Sequence, residues 1–247
     1  LMLEAYWKGR ASVSAPWAFW LYAPGVQHDG KPTWFSECGG ELAPCLNGGG
    51  GTPGTGAIVL ALKMHNALVH GNVSAYIHWQ MSDTSNNETE HILLGKNNVN
   101  NPQNSKKYCA YKHFSRYIRP GAIRVNATFE NGRTSINGAN PYDTYNSLNV
   151  STFIHTQDLT VTIVLVNMRA GAENVTINTP ASAMPVPSYQ VYRSSSSENF
   201  VRQSDLVPNA DQLMLTVPGY SVVTVFGQVP EPAWVAALAL LWLTRRR

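Results

Sequence analysis

Charge is scarce in this 247-residue chain. Asp, Glu, Lys and Arg together make up 13% of it, against a typical quarter for globular proteins. With hydrophobic residues at 44% and a net charge of only +3, the composition excludes wholesale disorder. The basic residues are scattered apart from Arg245, Arg246 and Arg247, so no electrostatic footprint for nucleic acid is present. Cysteine is also rare. Cys38, Cys45 and Cys109 do not have zinc spacing. The histidines (28, 65, 70, 78, 91, 113, 155) are dispersed, with no HxxxH pair on a plausible metal face, so neither metal nor cofactor is expected. Internal repeats are absent too. Polarity comes instead from Ser, Thr, Gly and 21 Asn, beside 10% aromatics. Neutral hydrogen-bonding groups with aromatic rings favour a neutral sugar partner over phosphate or DNA.

The length allows one or two domains and a sizeable core. Residues 1–30 are aromatic-rich but have poor boundaries. Lys31–Glu37 predicts a short buried strand ending in a carboxylate. The Gly-, Thr- and Pro-rich stretch 47–56 is a connector. Ala57–His70 has helical apolar spacing and stops at Gly71. Ser74–Trp79 reads as a second buried strand, 82–107 as a long polar loop, and Tyr108–Ile118 as a helix before Arg119-Pro120-Gly121. Strand, helix, strand, helix is the order of parallel α/β architecture. Beyond Gly121 the pattern changes to short Val-, Ile- and Thr-rich strands at 123–129, 148–155, 159–167, 174–178, 189–193, 212–217 and 221–226, the spacing of a β-sandwich.

The two ends disagree. Leu1-Met2-Leu3-Glu4 has none of the regions of a signal peptide. At the other end, Pro230-Glu231-Pro232 precedes eleven apolar residues, Ala233–Leu243, and then the Arg triplet. The apolar run is short for a full membrane span, with the arginines on its cytoplasmic side. This order resembles the PEP-CTERM sorting signal of Gram-negative bacteria. That resemblance implies export and recognition by a membrane-bound sorting enzyme, with the mature protein at the cell surface or outside. An exported tail without an export signal suggests a C-terminal fragment. In an exported protein Cys38 and Cys45 could form a disulfide across a short loop, leaving Cys109 unpaired.

Glu37 stands at the C-terminal end of a strand beside aromatics, which is the catalytic face of an α/β barrel. By itself such a Glu is as often a cap or an ion-pair partner. Trp34-Phe35-Ser36-Glu37, however, resembles the nucleophile strand of glycoside hydrolase family 30. Met64–Gln80 is similar to that family's seventh helix and eighth strand, and His113–Val125 to the segment that leaves the barrel for the side β-domain. The resemblance covers roughly residues 15–227. It implies the C-terminal portion of a (β/α)8 TIM barrel over 1–120, an antiparallel β-sandwich over 121–228, and the sorting segment over 229–247, with the N-terminal part of the barrel missing. It further implies a retaining, endo-acting β-glycanase, without cofactor and monomeric. Glu37 would be the nucleophile, Trp79 a subsite aromatic, and Tyr22 a residue lining the cleft. Trp34 reads as barrel packing. The last barrel helix and the Pro120-Gly121 hinge read as structural, with Arg119 tying the two parts together.

The family's acid/base Glu lies in an Asn-Glu-Pro context that is absent from these residues, so the chain alone is expected to be inactive and poorly folded. Glucuronoxylan-specific members carry Arg after the eighth strand. Here the stretch is Gln80-Met81-Ser82-Asp83-Thr84-Ser85-Asn86-Asn87, with no cation to clamp a carboxylate. A neutral polysaccharide such as β-1,6-galactan, β-1,6-glucan or undecorated xylan therefore fits better than glucuronoxylan. The alternatives in other classes are a non-catalytic carbohydrate-binding module and a structural matrix component.

Overall fold

The computed structural model describes residues 32–38, 56–84, 92–129, 135–136, 147–179 and 185–230, with the backbone alone at 37, 38, 135 and 136. Tyr22, Cys45 and the tail 231–247 lie outside them.

The first part is a βαβ unit. β1 (Trp34–Cys38) pairs in parallel with β2 (Ala75–His78), and α1 (Ala57–Val69) connects them. A parallel pair needs such a crossover, because its strands start at the same end. A polar connection with two 3-10 turns, Lys96–Asn98 and Pro102–Asn104, leads to α2 (Lys106–Ser115). Ser105 caps α2. Its hydroxyl accepts from Tyr108 N–H at 3.1 Å and donates to Leu93 O at 2.6 Å. This cap starts the helix two residues earlier than the apolar spacing predicts.

All later strands pair antiparallel. β3 (Ile123–Val125), β5 (Leu148–His155), β6 (Thr160–Asn167), β11 (Ser221–Gln228), β8 (Tyr189–Ser194) and β9 (Val201–Arg202) lie side by side in that order, and β4 (Ser135–Ile136) also pairs with β5. β7 (Glu173–Asn178) and β10 (Gln212–Val217) form a second sheet. The two-residue β4 and β9 were too short for sequence patterning to reveal.

Every residue of β6 is buried, because its sheet is covered on both faces. Ile163 and Leu165 join the core against Val175 of β7 and Leu213 of β10. Val164 and Val166 join a second core with Ile58 and Leu62 of α1 and Phe114 of α2. The uninterrupted apolar run of β6 follows from this double burial. β7 and β10 face solvent on one side, and their burial alternates.

The helices are joined to the sheet by polar contacts as well. His113 is fully buried, with Nδ1 2.8 Å from Thr224 Oγ1 and Nε2 2.8 Å from Ser194 Oγ. Lys106 donates to the carbonyls of Ser195 and Glu198, and Thr162 donates to the carbonyl of Tyr117. Arg119, expected to tie the two parts together, is exposed and makes no such contact among the described residues. The expected hinge is present at Gly121, whose φ is +96°. A Cβ there would sit 2.9 Å from His155 Nε2, the atom that contacts Pro120 O at 3.0 Å. Gly121→Ala is expected to cost about 2 kcal/mol, from left-handed strain and displacement of His155. Urea unfolding of the two proteins measures this, and an unchanged midpoint would refute it.

Candidate functional site

The carboxy-terminal ends of β1 and β2 lie side by side. Cys38 is directly opposite His78, so Glu37 and Trp79 fall at the same end of adjacent strands. Strand spacing and rise place their Cα atoms about 8 Å apart.

The two faces of this small sheet differ. Phe35 and Tyr76 are opposite each other and pack on the helices, with ring centroids 5.3 Å apart. His78 lies on the same side, 6.2 Å from the Tyr111 ring, and Tyr111 Oη donates to Tyr76 O at 3.4 Å. The other face is open. Trp34 is 54% exposed, Ile77 45% and Trp79 50%. Both strands were expected to be buried, and Trp34 was expected to pack inside a barrel. The structure corrects the first reading: the alternation buries one face, and Trp34 lies on the other, which the described residues do not cover and which is the inner face in a closed barrel.

Register matters at Glu37. Trp34 pairs with Ala75 and Phe35 with Tyr76, but the next pair is Cys38 with His78. Ser36 and Glu37 therefore oppose Ile77 alone, which is a β-bulge. Simple alternation in Trp-Phe-Ser-Glu would give position 37 the parity of buried Phe35. The extra residue gives it the parity of Ile77 and Trp79, on the open face. The sequence carries no signal of this bulge.

The connection after β2 continues the pairing. Leu93 N donates to Gln80 O at 3.0 Å, Leu94 N donates to Met81 O at 2.8 Å, and Ser82 bridges to Leu94 in parallel. The Trp79–Gln80 peptide bond is cis. Gln80 Nε2 reaches Asp83 at 3.4 Å, and Met81 is 54% exposed. Among the described residues, three or more His, Cys, Asp or Glu side chains nowhere gather to hold a metal ion. Cys109 is a buried free thiol, and burial pushes it up to about 11. The Cys38–Cys45 pairing lies outside the described residues.

His65 and His70 lie beneath this sheet, at the end of α1, with ring centroids 5.7 Å apart. Burial lowers both, His65 well below the usual imidazole range and His70 to about 4. Neither ring nitrogen of His65 has a hydrogen-bond partner. They pack as neutral rings on the helix side, away from the open face.

No protein-family profile matches the sequence. Solved structures do match. A family 30 endoxylanase from Clostridium papyrosolvens C71 superposes with TM-score 0.60 at 21% identity, over 85% of this chain and 44% of that one. The family 30 subfamily 8 xylanase from Clostridium acetobutylicum gives 0.62 at 22% identity, over 83% and 45%. An arabinose-bound family 51 α-L-arabinofuranosidase gives 0.58 at 13% identity, over 88% and 36%. The chain thus spans less than half the length of the structures it matches. The chain has the fold of the glycoside hydrolase family 30 enzymes over that share, part of a (β/α)8 barrel followed by its β-domain.

Proposed function

We propose that this chain carries the nucleophile half of a retaining β-glycanase active site. The observation that carries the reading is the parallel pairing of β1 with β2. It brings a strand-end Glu37 and a half-exposed Trp79 to one end of one open face. The fold supports the reading but does not decide the chemistry; the site does. Glu37 attacks the anomeric carbon and forms a glycosyl ester while a second carboxylic acid protonates the leaving oxygen. Water then releases the sugar, with that second group acting as base. This mechanism needs the two carboxyls about 5 Å apart. The second group comes from strands that complete the barrel over the open face formed by Trp34, Ile77 and Trp79. Trp79 provides an aromatic surface for the C–H face of a sugar. The Arg-free stretch after β2 favours a neutral glycan. The tail adds export and surface sorting to this reading.

The test is covalent trapping. A 2-deoxy-2-fluoro glycoside with a dinitrophenolate leaving group needs no acid to react, and its fluorine slows hydrolysis of the ester. Incubation with the folded protein should add one glycosyl mass to the peptide containing Glu37. An adduct on any other residue overturns the assignment. Native polysaccharide, which needs the acid, should not be turned over by this chain alone. Measurable glycanase turnover would show that the acid/base lies within it.

A further inference from the structure

A second site is formed where α2 leaves for the β-domain. A groove of about 430 Å³ opens between Tyr108, Lys112, Ser115, Arg116, Tyr117 and Arg119. That volume is within the range of small-ligand sites. Its floor is held rigid from behind. The Tyr117 ring stacks on Phe226 at 4.3 Å and lies 5.4 Å from Tyr192, which itself stacks on Phe200 at 4.7 Å. Its rim is cationic. Lys112 Nζ lies 4.5 Å from the Phe200 ring centre and the Arg116 guanidinium 5.4 Å from that of Tyr117. Arg119 is exposed.

None of these three cations makes an ion pair among the described residues. Neighbouring carboxylates are engaged elsewhere: Glu198 holds Arg193 through two hydrogen bonds, and Asp205 holds Arg202. Three positive charges without a carboxylate partner among the described residues, beside tyrosine rings and a serine hydroxyl, suit one kind of ligand. It carries a negative charge, a face of C–H groups and several hydroxyls. We propose that this groove is a secondary binding site for a uronic-acid residue of an acidic polysaccharide. Tyr117 is already engaged by Phe226, Tyr192 and the Arg116 guanidinium, so the Tyr108 ring takes the sugar face and the guanidinium groups take the carboxylate, the pairing that suits a planar bidentate donor. Three cations offer at most three phosphate contacts, a weak electrostatic footprint for nucleic acid.

The site is remote from Glu37. Ser105, at the start of α2, is bonded to Leu93, beside the Gln80–Ser82 end of β2. Tyr111, in the middle of α2, lies against Tyr76 and His78. The helix therefore runs back along β2, and Arg116 and Arg119 lie away from the end that carries Trp79. The groove can hold an acidic glycan while a separate neutral chain occupies the strand ends, and it stands independently of the nucleophile assignment.

The experiment is titration of the folded protein with trigalacturonate, with neutral galactotriose and with a short single-stranded oligodeoxynucleotide, followed by amide chemical shifts. Saturable binding of trigalacturonate, with shifts at Tyr108, Ser115 and Tyr117, is expected, along with little response to galactotriose. Binding should weaken as salt is raised. Arg119→Gln, at an exposed position outside all packing, should lower affinity about tenfold, and Arg116→Gln/Arg119→Gln further. Equal binding of the neutral trisaccharide, unchanged affinity in Arg119→Gln, tighter binding of the oligonucleotide, or no saturation by about 10 mM would each overturn the proposal.

Discussion

On the nucleophile role proposed above, Glu37→Ala in a protein completed with an acid/base carboxylate is expected to lower kcat by on the order of 10⁴-fold or more, the scale on which nucleophile removal acts elsewhere. The loss is large because without Glu37 the reaction has no covalent intermediate, and water must attack across a space built for a carboxylate. That same space is the diagnostic. Azide is small enough to enter it and attack the anomeric carbon from the face Glu37 used. Added azide should therefore restore cleavage of a dinitrophenyl glycoside and yield a glycosyl azide of inverted configuration. A Glu37 that served only as a cap or ion-pair partner would give a variant that azide does not rescue. Rescue without inversion would likewise sink the nucleophile role. The register at β1 is what makes the test specific: position 37 shares the parity of Trp79 only through the bulge between Phe35 and Cys38.

His113→Gln is expected to remove one share, of three, of the acid sensitivity that buried histidines give the fold. The hydrogen-bond chain through His113 has one consistent direction. Thr224 Oγ1 donates to His113 O at 3.0 Å, so the same oxygen accepts from Nδ1–H. Ser194 Oγ accepts from Phe200 N–H at 2.8 Å and donates its own proton to Nε2. The ring is thus neutral and protonated on Nδ1. A second proton on Nε2 would meet the Ser194 hydroxyl proton. Burial first, and then Lys112, hold the imidazole at about 3, down from 6.5. The sign follows. Above pH 6.5 the ring is neutral folded and unfolded, and its stabilisation is complete. As pH falls below 6.5 the unfolded chain takes up a proton that the folded one refuses, so stability declines down to about pH 3. At pH 4.5 the loss amounts to about 2–3 kcal/mol. His65 and His70 shift in the same direction and add to it. Urea midpoints at pH 7 and pH 4.5 measure the effect. His113→Gln should be less stable at pH 7 by about 2 kcal/mol, through imperfect replacement of two buried hydrogen bonds. It should lose less on acidification than the parent. An equal loss in both proteins would refute the role.

Much of this architecture was legible because local periodicity and burial agreed. The strands over 148–155 and 212–217 have the bounds their patterning predicts, and α1 ends one residue before its expected His70. α2 was misplaced at both ends. Its start depends on the Ser105 cap, and past Ser115 the last helical bonds, from Arg116 N to Lys112 O and from Ile118 N to Phe114 O, run out as Tyr117 enters the aromatic junction. His113 could be read as structural from its segment. Its partners could not be read, since Ser194 and Thr224 lie 81 and 111 residues away. The assignment of the inter-part contact to Arg119 failed for a related reason. An exposed cation next to Pro-Gly looks like a tether, whereas the contact is made by groups that burial leaves no other partner.

The sequence by itself determined the order of elements, the change from parallel α/β to antiparallel β near Gly121, and the strand-end position of Glu37. These depend on residue spacing, turn chemistry and short-range patterning. Tertiary structure alone decided that the β6 sheet is covered on both faces. It also put position 37 in register with the open face rather than the packed one. And it gathered three cations without carboxylates around the tyrosines of a groove. In each case the deciding quantity is what lies opposite a residue in space, and that depends on pairing between segments distant in the chain.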